Sequence, residues 1–207
     1  MRLMEKEVYI EESPVLWQKP FTPDVMESDF SVKTGEWVCK DGYLIGKNPE
    51  NAPGMIVSKG EFHGNVMLDF YATTVLPSTH DVNAMWSGHW NDETGERDMG
   101  YVVGLQGWWH GKLGFEKAPD YKFRAGTPLF PFEPGREYHI QVGSIDGHIF
   151  AAIDGKLCLE ISDPEPIDTE RYGQIGFEAY CSQIRIRDLT VRKIRWESVT
   201  ENYDPEF

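Results

Sequence analysis

The sequence predicts an all-β fold, a sandwich or barrel of roughly a dozen short strands. Three observations predict it. Asp-Gly occurs three times between apolar runs, at Asp41-Gly42, Asp146-Gly147 and Asp154-Gly155, and that dipeptide supplies the two left-handed residues of the tightest hairpin turns. The 207 residues include 7 Trp, 9 Tyr, 11 Phe, 20 Gly and 13 Pro, a mix that suits short strands and tight turns. Helix signals are confined to Pro23–Ser28 and Asp168–Arg171, each sufficient for a single turn, so strands do not alternate with helices as in a doubly wound or barrel α/β enzyme.

Taken along the chain, Trp37–Lys40 and Tyr43–Ile45 flank the first Asp-Gly. Apolar or alternating runs follow at Asn65–Thr74, Asn83–Ser87, Tyr101–Gln106 and Leu113–Lys117. Tyr138–Val142, Ile149–Ile153 and Leu157–Ile161, joined by the other two Asp-Gly pairs, predict a three-stranded meander over 137–161. Gln174–Tyr180 and Gln183–Ile194 close the series. In the last run the apolar set changes face around Arg187-Asp188: Ile184 and Ile186 point one way, Leu189 and Val191 the other. Either a β-bulge keeps both sets buried, or one set covers the opposite face. Residues 1–20 and 196–207 read as terminal strands or arms wrapped on a core spanning about 28–195, so that 1–207 forms one domain.

Composition excludes several functions. The formal charge of −14 argues against nucleic acid and against anionic membranes, both of which are held by Lys and Arg. The longest apolar run, Ile149–Ile153, is too short to span a bilayer, and no apolar leader follows Met1, which predicts a cytoplasmic protein. Cys39, Cys158 and Cys181 are an odd set without CxxC spacing, as expected of thiols in a reducing compartment. Phosphate-cradling glycine loops, a GxSxG elbow, HExxH and paired-cysteine zinc spacings are all absent. His80-Asp81 reads as a turn. The oligomeric state is not written in the sequence.

Alternation then selects ligand-facing candidates, because the set opposite a strand's apolar set faces solvent or a cleft. Val66, Leu68, Phe70 and Ala72 point inward, leaving Met67, Asp69 and Tyr71 outward. Tyr101, Val103 and Leu105 leave Gly104 and Gln106; Leu113 and Phe115 leave Glu116; Ile175, Phe177 and Ala179 leave Gly176, Glu178 and Tyr180. In Asn83–Ser87 the expectation is Met85 inward, with Ala84 and Trp86 outward. Aromatic plates among carboxylates and amides suit a saccharide or a sugar-derived acid, although exposed polar residues are also the norm. Four of the 7 tryptophans and two of the 6 histidines fall between residues 86 and 110. They lie in Trp86–Glu93, read as a loop, and Gly107–Gly111, read as a hairpin tip; loop-borne aromatics mark contact sites. Trp86, Gln106, Trp108, Trp109, His110 and Tyr180 are thus the expected sugar contacts. Glu116 and Glu178 are the expected acid–base pair, with His89 or His110 as a substitute proton shuttle.

Four stretches resemble the concanavalin A-like lectin/glucanase superfamily. They are Asp29-Phe30 to Gly42-Tyr43-Leu44, Val82–Gly88 leading to Tyr101–Gln106, Tyr138–Ile153 with Asp154-Gly155-Lys156, and Gly173-Gln174-Ile175-Gly176-Phe177 closing on Arg185-Ile186-Arg187-Asp188-Leu189. The pattern is similar to bacterial jelly-roll families of pectin or rhamnogalacturonan utilisation and to the keto-disaccharide hydrolase family. The resemblance implies a two-sheet antiparallel jelly-roll sandwich and a carbohydrate-active protein. That protein would be a glycosidase or lyase for small plant-polysaccharide saccharides, or a non-catalytic lectin-like module. The E-x-D-x-x-E strand of the glucanase branch has no match here. No cofactor is required, but the resemblance implies a structural Ca2+ near the last long strand, which points to Asp188. Thiol titration of the denatured, unreduced protein should find three reactive groups; a count of one would show a disulfide and a different compartment.

Overall fold

The computed structural model describes residues 1–107, 111–121, 124–128 and 131–200. Strands make up 60% of these residues and helix 4%. The strands are β1 (Arg2–Leu3), β2 (Lys6–Val8), β3 (Val15–Gln18), β4 (Phe30–Val32), β5 (Glu36–Lys40), β6 (Tyr43–Ser58), β7 (Val66–Thr74) and β8 (Val82–Asn91), followed by β9 (Glu96–Leu105), β10 (Leu113–Ala118), β11 (Arg124–Thr127), β12 (Tyr138–Ile145), β13 (His148–Ile153), β14 (Lys156–Ser162), β15 (Gln174–Lys193) and β16 (Trp196–Ser198). The one helix among the described residues, α1 (Pro23–Asp29), starts where Thr22 Oγ1 accepts from Val25 N and Pro23 occupies the first helical position, where a missing N–H costs nothing.

All three Asp-Gly pairs sit at φ between +50° and +83°, as a tight hairpin between right-twisted strands requires. They join β5 to β6, β12 to β13 and β13 to β14. Hydrogen bonding runs continuously through 13 strands because β6 and β15 each pass from one layer of a sandwich to the other. The first layer runs β11-β10-β9-β8, then the front half of β15, the back half of β6, and β4. The second runs β5, the front half of β6, the back half of β15, then β7-β12-β13-β14. The crossing in β15 lies between Tyr180 and Ser182, with Cys181 at φ +50°.

One apolar core fills the space between the layers. Phe177 from the first meets Phe70 from the second edge-on at 5.2 Å, and full burial of such a ring contributes roughly 1.5–3 kcal/mol. Trp86 crosses the same gap, its Nε1 donating to Ser144 Oγ of β12 at 3.1 Å. Outside the second layer, β1, β2 and β16 form a small sheet of their own. Leu3 and Val8 of that sheet cover Met67, Ile145 and Phe150, so Met67 points away from the main core, as alternation requires, yet is buried.

One expectation needs correction. Trp86–Asn91 is not a loop but the second half of β8. Asp188 Oδ2 accepts from Arg187 Nη1, whose guanidinium also grips Glu137, so its charge is already matched. No cluster of three or more His, Cys, Asp or Glu suited to a metal occurs among the described residues.

Asp188 carries the face change. It sits at φ +53°, where the register of β15 against β7 shifts between Arg187 and Thr190. The extra residue returns Leu189 and Val191 to the core beside Ile184 and Ile186, all four fully buried. Left-handed backbone costs an ordinary L-residue about 1–2 kcal/mol and suits glycine. Asp188→Val should therefore be less stable than Asp188→Gly by about that amount in urea denaturation; equal stabilities would show that the bulge imposes no backbone demand.

Candidate functional site

The outer face of the first layer carries the site. Because Ala84, Val103, Phe115 and Phe177 point into the core, their neighbours Asn83, Gly104, Glu116 and Glu178 point outward. Pairing brings them side by side: Glu178 opposes Asn83, and Asn83 opposes Gly104. A pocket of about 180 Å³ opens there, lined by Asp81, Asn83, Arg97, Glu116, Tyr121, Glu178 and Tyr180 among others. Two glycines keep it open. A Cβ on Gly104 would lie 2.8 Å from Asn83 Oδ1, and one on Gly107 would lie 2.7 Å from Asp81 Oδ1.

A buried ion pair organises the charges. Arg97 Nη1 donates to Glu178 Oε2 at 2.5 Å, both side chains being only 9% exposed, and Arg97 Nη2 donates to the Tyr121 hydroxyl at 2.7 Å. Burial works against the guanidinium charge, but Glu178 and Tyr121 outweigh it and hold Arg97 above its ordinary pKa. Asp81 is placed differently. Its Oδ1 accepts from Asn83 Nδ2 at 2.8 Å. Burial, aided by the negative charges of Glu178 and Glu116, raises its carboxyl to about 7 against that hydrogen bond. Removing a carboxylate from water disfavours the charged form, and neighbouring carboxylates add to the effect. The pocket therefore combines a charged arginine with a carboxyl that takes up its proton near neutral pH.

The outer face is not wholly polar. Met55, Val57, Met85, Trp90 and Val102 form a second buried cluster on it. Above Met55 and Trp90 lies a larger hollow, about 490 Å³, which shares Pro53, Arg97 and Tyr121 with the polar pocket.

No protein-family model and no curated protein sequence matches this chain. Solved structures do. A Bacillus subtilis protein of unknown function with a galectin-like fold superposes with a TM-score of 0.69 at 14% identity, over 88% of this chain and 98% of that one. The carbohydrate binding module CBM66 from Bacillus subtilis gives 0.63 at 14% identity, over 79% and 95%. The exoplasmic/lumenal domain of VIP36, in its Ca2+/Man3GlcNAc-bound form, gives 0.60 at 12% identity, over 97% and 93%. The fold is a galectin-like two-layer β-sandwich.

On this sandwich the structure brings Glu116, Glu178 and Tyr180 together in one pocket. It does not bring Trp86. That ring is fully buried in the main core, because the phase of β8 is the reverse of the one expected: Ala84 and Trp86 face inward and Met85 outward. The register breaks between Trp86 and His89 and again before Trp90, with Ser87 at φ +46°. These irregularities turn Trp90, four residues on, to the outer face. They also turn His89 away from both hollows, where its Nδ1 lies 2.6 Å from Asp98 Oδ1 and its ring 6.0 Å from Tyr172. Gln106 borders the pocket through Gly107 only, since its Oε1 accepts from Gly111 N. Trp108, Trp109 and His110 lie outside the described residues. Asp81, Asn83, Arg97 and Tyr121 had not been singled out. Asn83 was hidden by the inverted phase of its strand, and Asp81 was read as part of a turn; its φ of +76° keeps something of that character.

The raised carboxyl at Asp81 has a consequence for stability. The folded state holds a proton that the unfolded chain releases near pH 4, so stability should fall between about pH 4 and 7, with a slope of at most about 1.4 kcal/mol per pH unit. Above pH 7 the loss is complete. Asp81→Asn, which tolerates the left-handed backbone, should flatten that slope and be more stable than wild type at pH 8 in urea titrations; an unchanged slope would show that Asp81 is not the group responsible.

Proposed function

We propose that this protein binds a neutral saccharide in the pocket of the outer face. The observation that carries the reading is the convergence of three carboxyl groups, an amide, two tyrosines and a charge-paired arginine around a hollow of about 180 Å³. Sugar hydroxyls donate to carboxylates and accept from amide and guanidinium groups, and tyrosine rings offer flat apolar faces to sugar C–H groups. Charge selects against a sugar-derived acid. Arg97 is already paired with Glu178, and the remaining carboxyls, in a chain of net charge −14, repel another anion. Support also comes from the similar structures, one a carbohydrate binding module and one a domain in a Man3GlcNAc-bound form.

A second reading, glycoside cleavage, is favoured by one observation. Asp81 is a carboxyl protonated up to about pH 7 within a group that includes two further carboxylates. Environments that push such pKa values apart create acid and base roles. Asp81 would protonate the leaving oxygen, while Glu116 or Glu178 would serve as base or nucleophile, their separation from the acid deciding stereochemistry. A lyase would use the same carboxylates to remove an acidic C–H proton.

Calorimetry against neutral mono- and disaccharides should find a ligand with a Kd on the order of 1 mM or tighter. A lost hydrogen bond to a charged group costs about 1.5–3 kcal/mol, so Glu116→Gln should weaken that binding by roughly 10- to 100-fold. Asp81→Asn should bind but lose turnover if the protein is a glycosidase. No binding across the panel, or full affinity in Glu116→Gln, would contradict the reading.

A further inference from the structure

We infer that the ligand is an amphipathic glycoside, with its sugar ring in the polar pocket and an apolar, ring-bearing aglycone in the adjoining hollow over Trp90. This rests on the saccharide reading above and goes one step further, to the class of glycoside.

Size is the first reason. A pocket of about 180 Å³ is smaller than the roughly 300–1,000 Å³ usual for organic ligands, whereas the two hollows together fall inside that range. They adjoin directly, sharing Pro53, Arg97 and Tyr121 as a common wall. A group attached to a sugar held beside Arg97 would therefore meet the second hollow next.

The chemistry of that hollow decides what the group is. Ala52, Pro53 and Pro119 line it, above the nearly buried Met55 and Trp90. Most of the polar atoms nearby are already engaged, Arg97 Nε being a buried exception without a hydrogen-bond partner. Thr34 Oγ1 donates to the Pro53 carbonyl at 2.6 Å and accepts from Met55 N at 2.8 Å. Arg97 spends its terminal nitrogens on Glu178 and Tyr121. A second sugar would bring several hydroxyls to a surface where Glu96, exposed at the rim, is the main side chain left to answer them. Desolvating hydroxyls without partners is unfavourable, whereas an aryl or alkyl group loses nothing there and gains contact with proline and indole faces.

The test compares matched pairs, methyl and phenyl glycosides of the same sugar and anomer, by calorimetry on the full chain. The phenyl member should bind about tenfold tighter or better. Ala52→Trp, which fills the hollow from its side wall, should bring the phenyl-to-methyl affinity ratio close to one. Independently of any variant's folding, the Trp90 indole N–H resonance should shift with the phenyl ligand and stay in place with the methyl one. Equal affinities within pairs whose methyl members bind, or a phenyl advantage that survives Ala52→Trp, would overturn the aglycone inference and leave saccharide binding intact. Failure of both members of every pair would overturn the saccharide reading itself, and this inference with it.

Discussion

A single 20-residue strand, β15, belongs to both layers of the sandwich, and the rest of the molecule is arranged around it. Its front half pairs with β8 and β6, its back half with β6, β7 and β3. A strand that leaves one sheet for another must break its alternation at the crossing, since the inner face of each sheet points the opposite way. Here the break is Cys181, at φ +50°, and a second irregularity at Asp188 restores the phase needed for Leu189 and Val191. Because Ile175, Phe177 and Ala179 are anchored in the core, Gly176, Glu178 and Tyr180 have no choice but the outer face. The pocket inherits its carboxylate from the packing of the residues on either side of it.

The same face joins charge to apolar surface. A buried ion pair contributes little net stability, because desolvation offsets most of its attraction, and Arg97–Glu178 is nearly sealed from water. Its effect is on the neighbours. Met55, Val57, Met85, Trp90 and Val102 exclude water beside it, and the surviving negative charge acts on Asp81 through a medium of low polarity. Burial of Asp81 itself, aided by the charges of Glu178 and Glu116, keeps its carboxyl protonated nearly to neutral pH. An isolated carboxylate on a solvated sheet would not behave this way.

Much of this was legible residue by residue. Strands β9, β10 and β15 have one clearly apolar set each, so the outward placement of Gly104, Glu116, Glu178 and Tyr180 could be read directly. β8 could not be read so simply. Ala84, Met85 and Trp86 are all apolar, and both faces of the strand are in fact buried, one against the main core and one against the outer cluster. With no polar set to fix the phase, the choice between Met85 and Trp86 was undetermined, and the wrong choice concealed Asn83 and assigned Trp86 to the ligand. The irregularities at Ser87–His89 then separated Trp90 from Trp86, although a regular strand would place both on one side.

What the sequence determined by itself is whatever depends on near neighbours: the three Asp-Gly turns, the strand alternation, the absence of long helices, and the need for a face change near Arg187-Asp188. These follow from backbone preference and a two-residue period, which act over a few positions. What only the tertiary structure decided depends on partners far along the chain. Arg97 and Glu178 are 81 residues apart, Trp86 and Ser144 are 58 apart, and the proton on Asp81 is held by burial among strands that no local pattern brings together. Burial and charge proximity are properties of the packed layers, and they exist only once β15 has joined them.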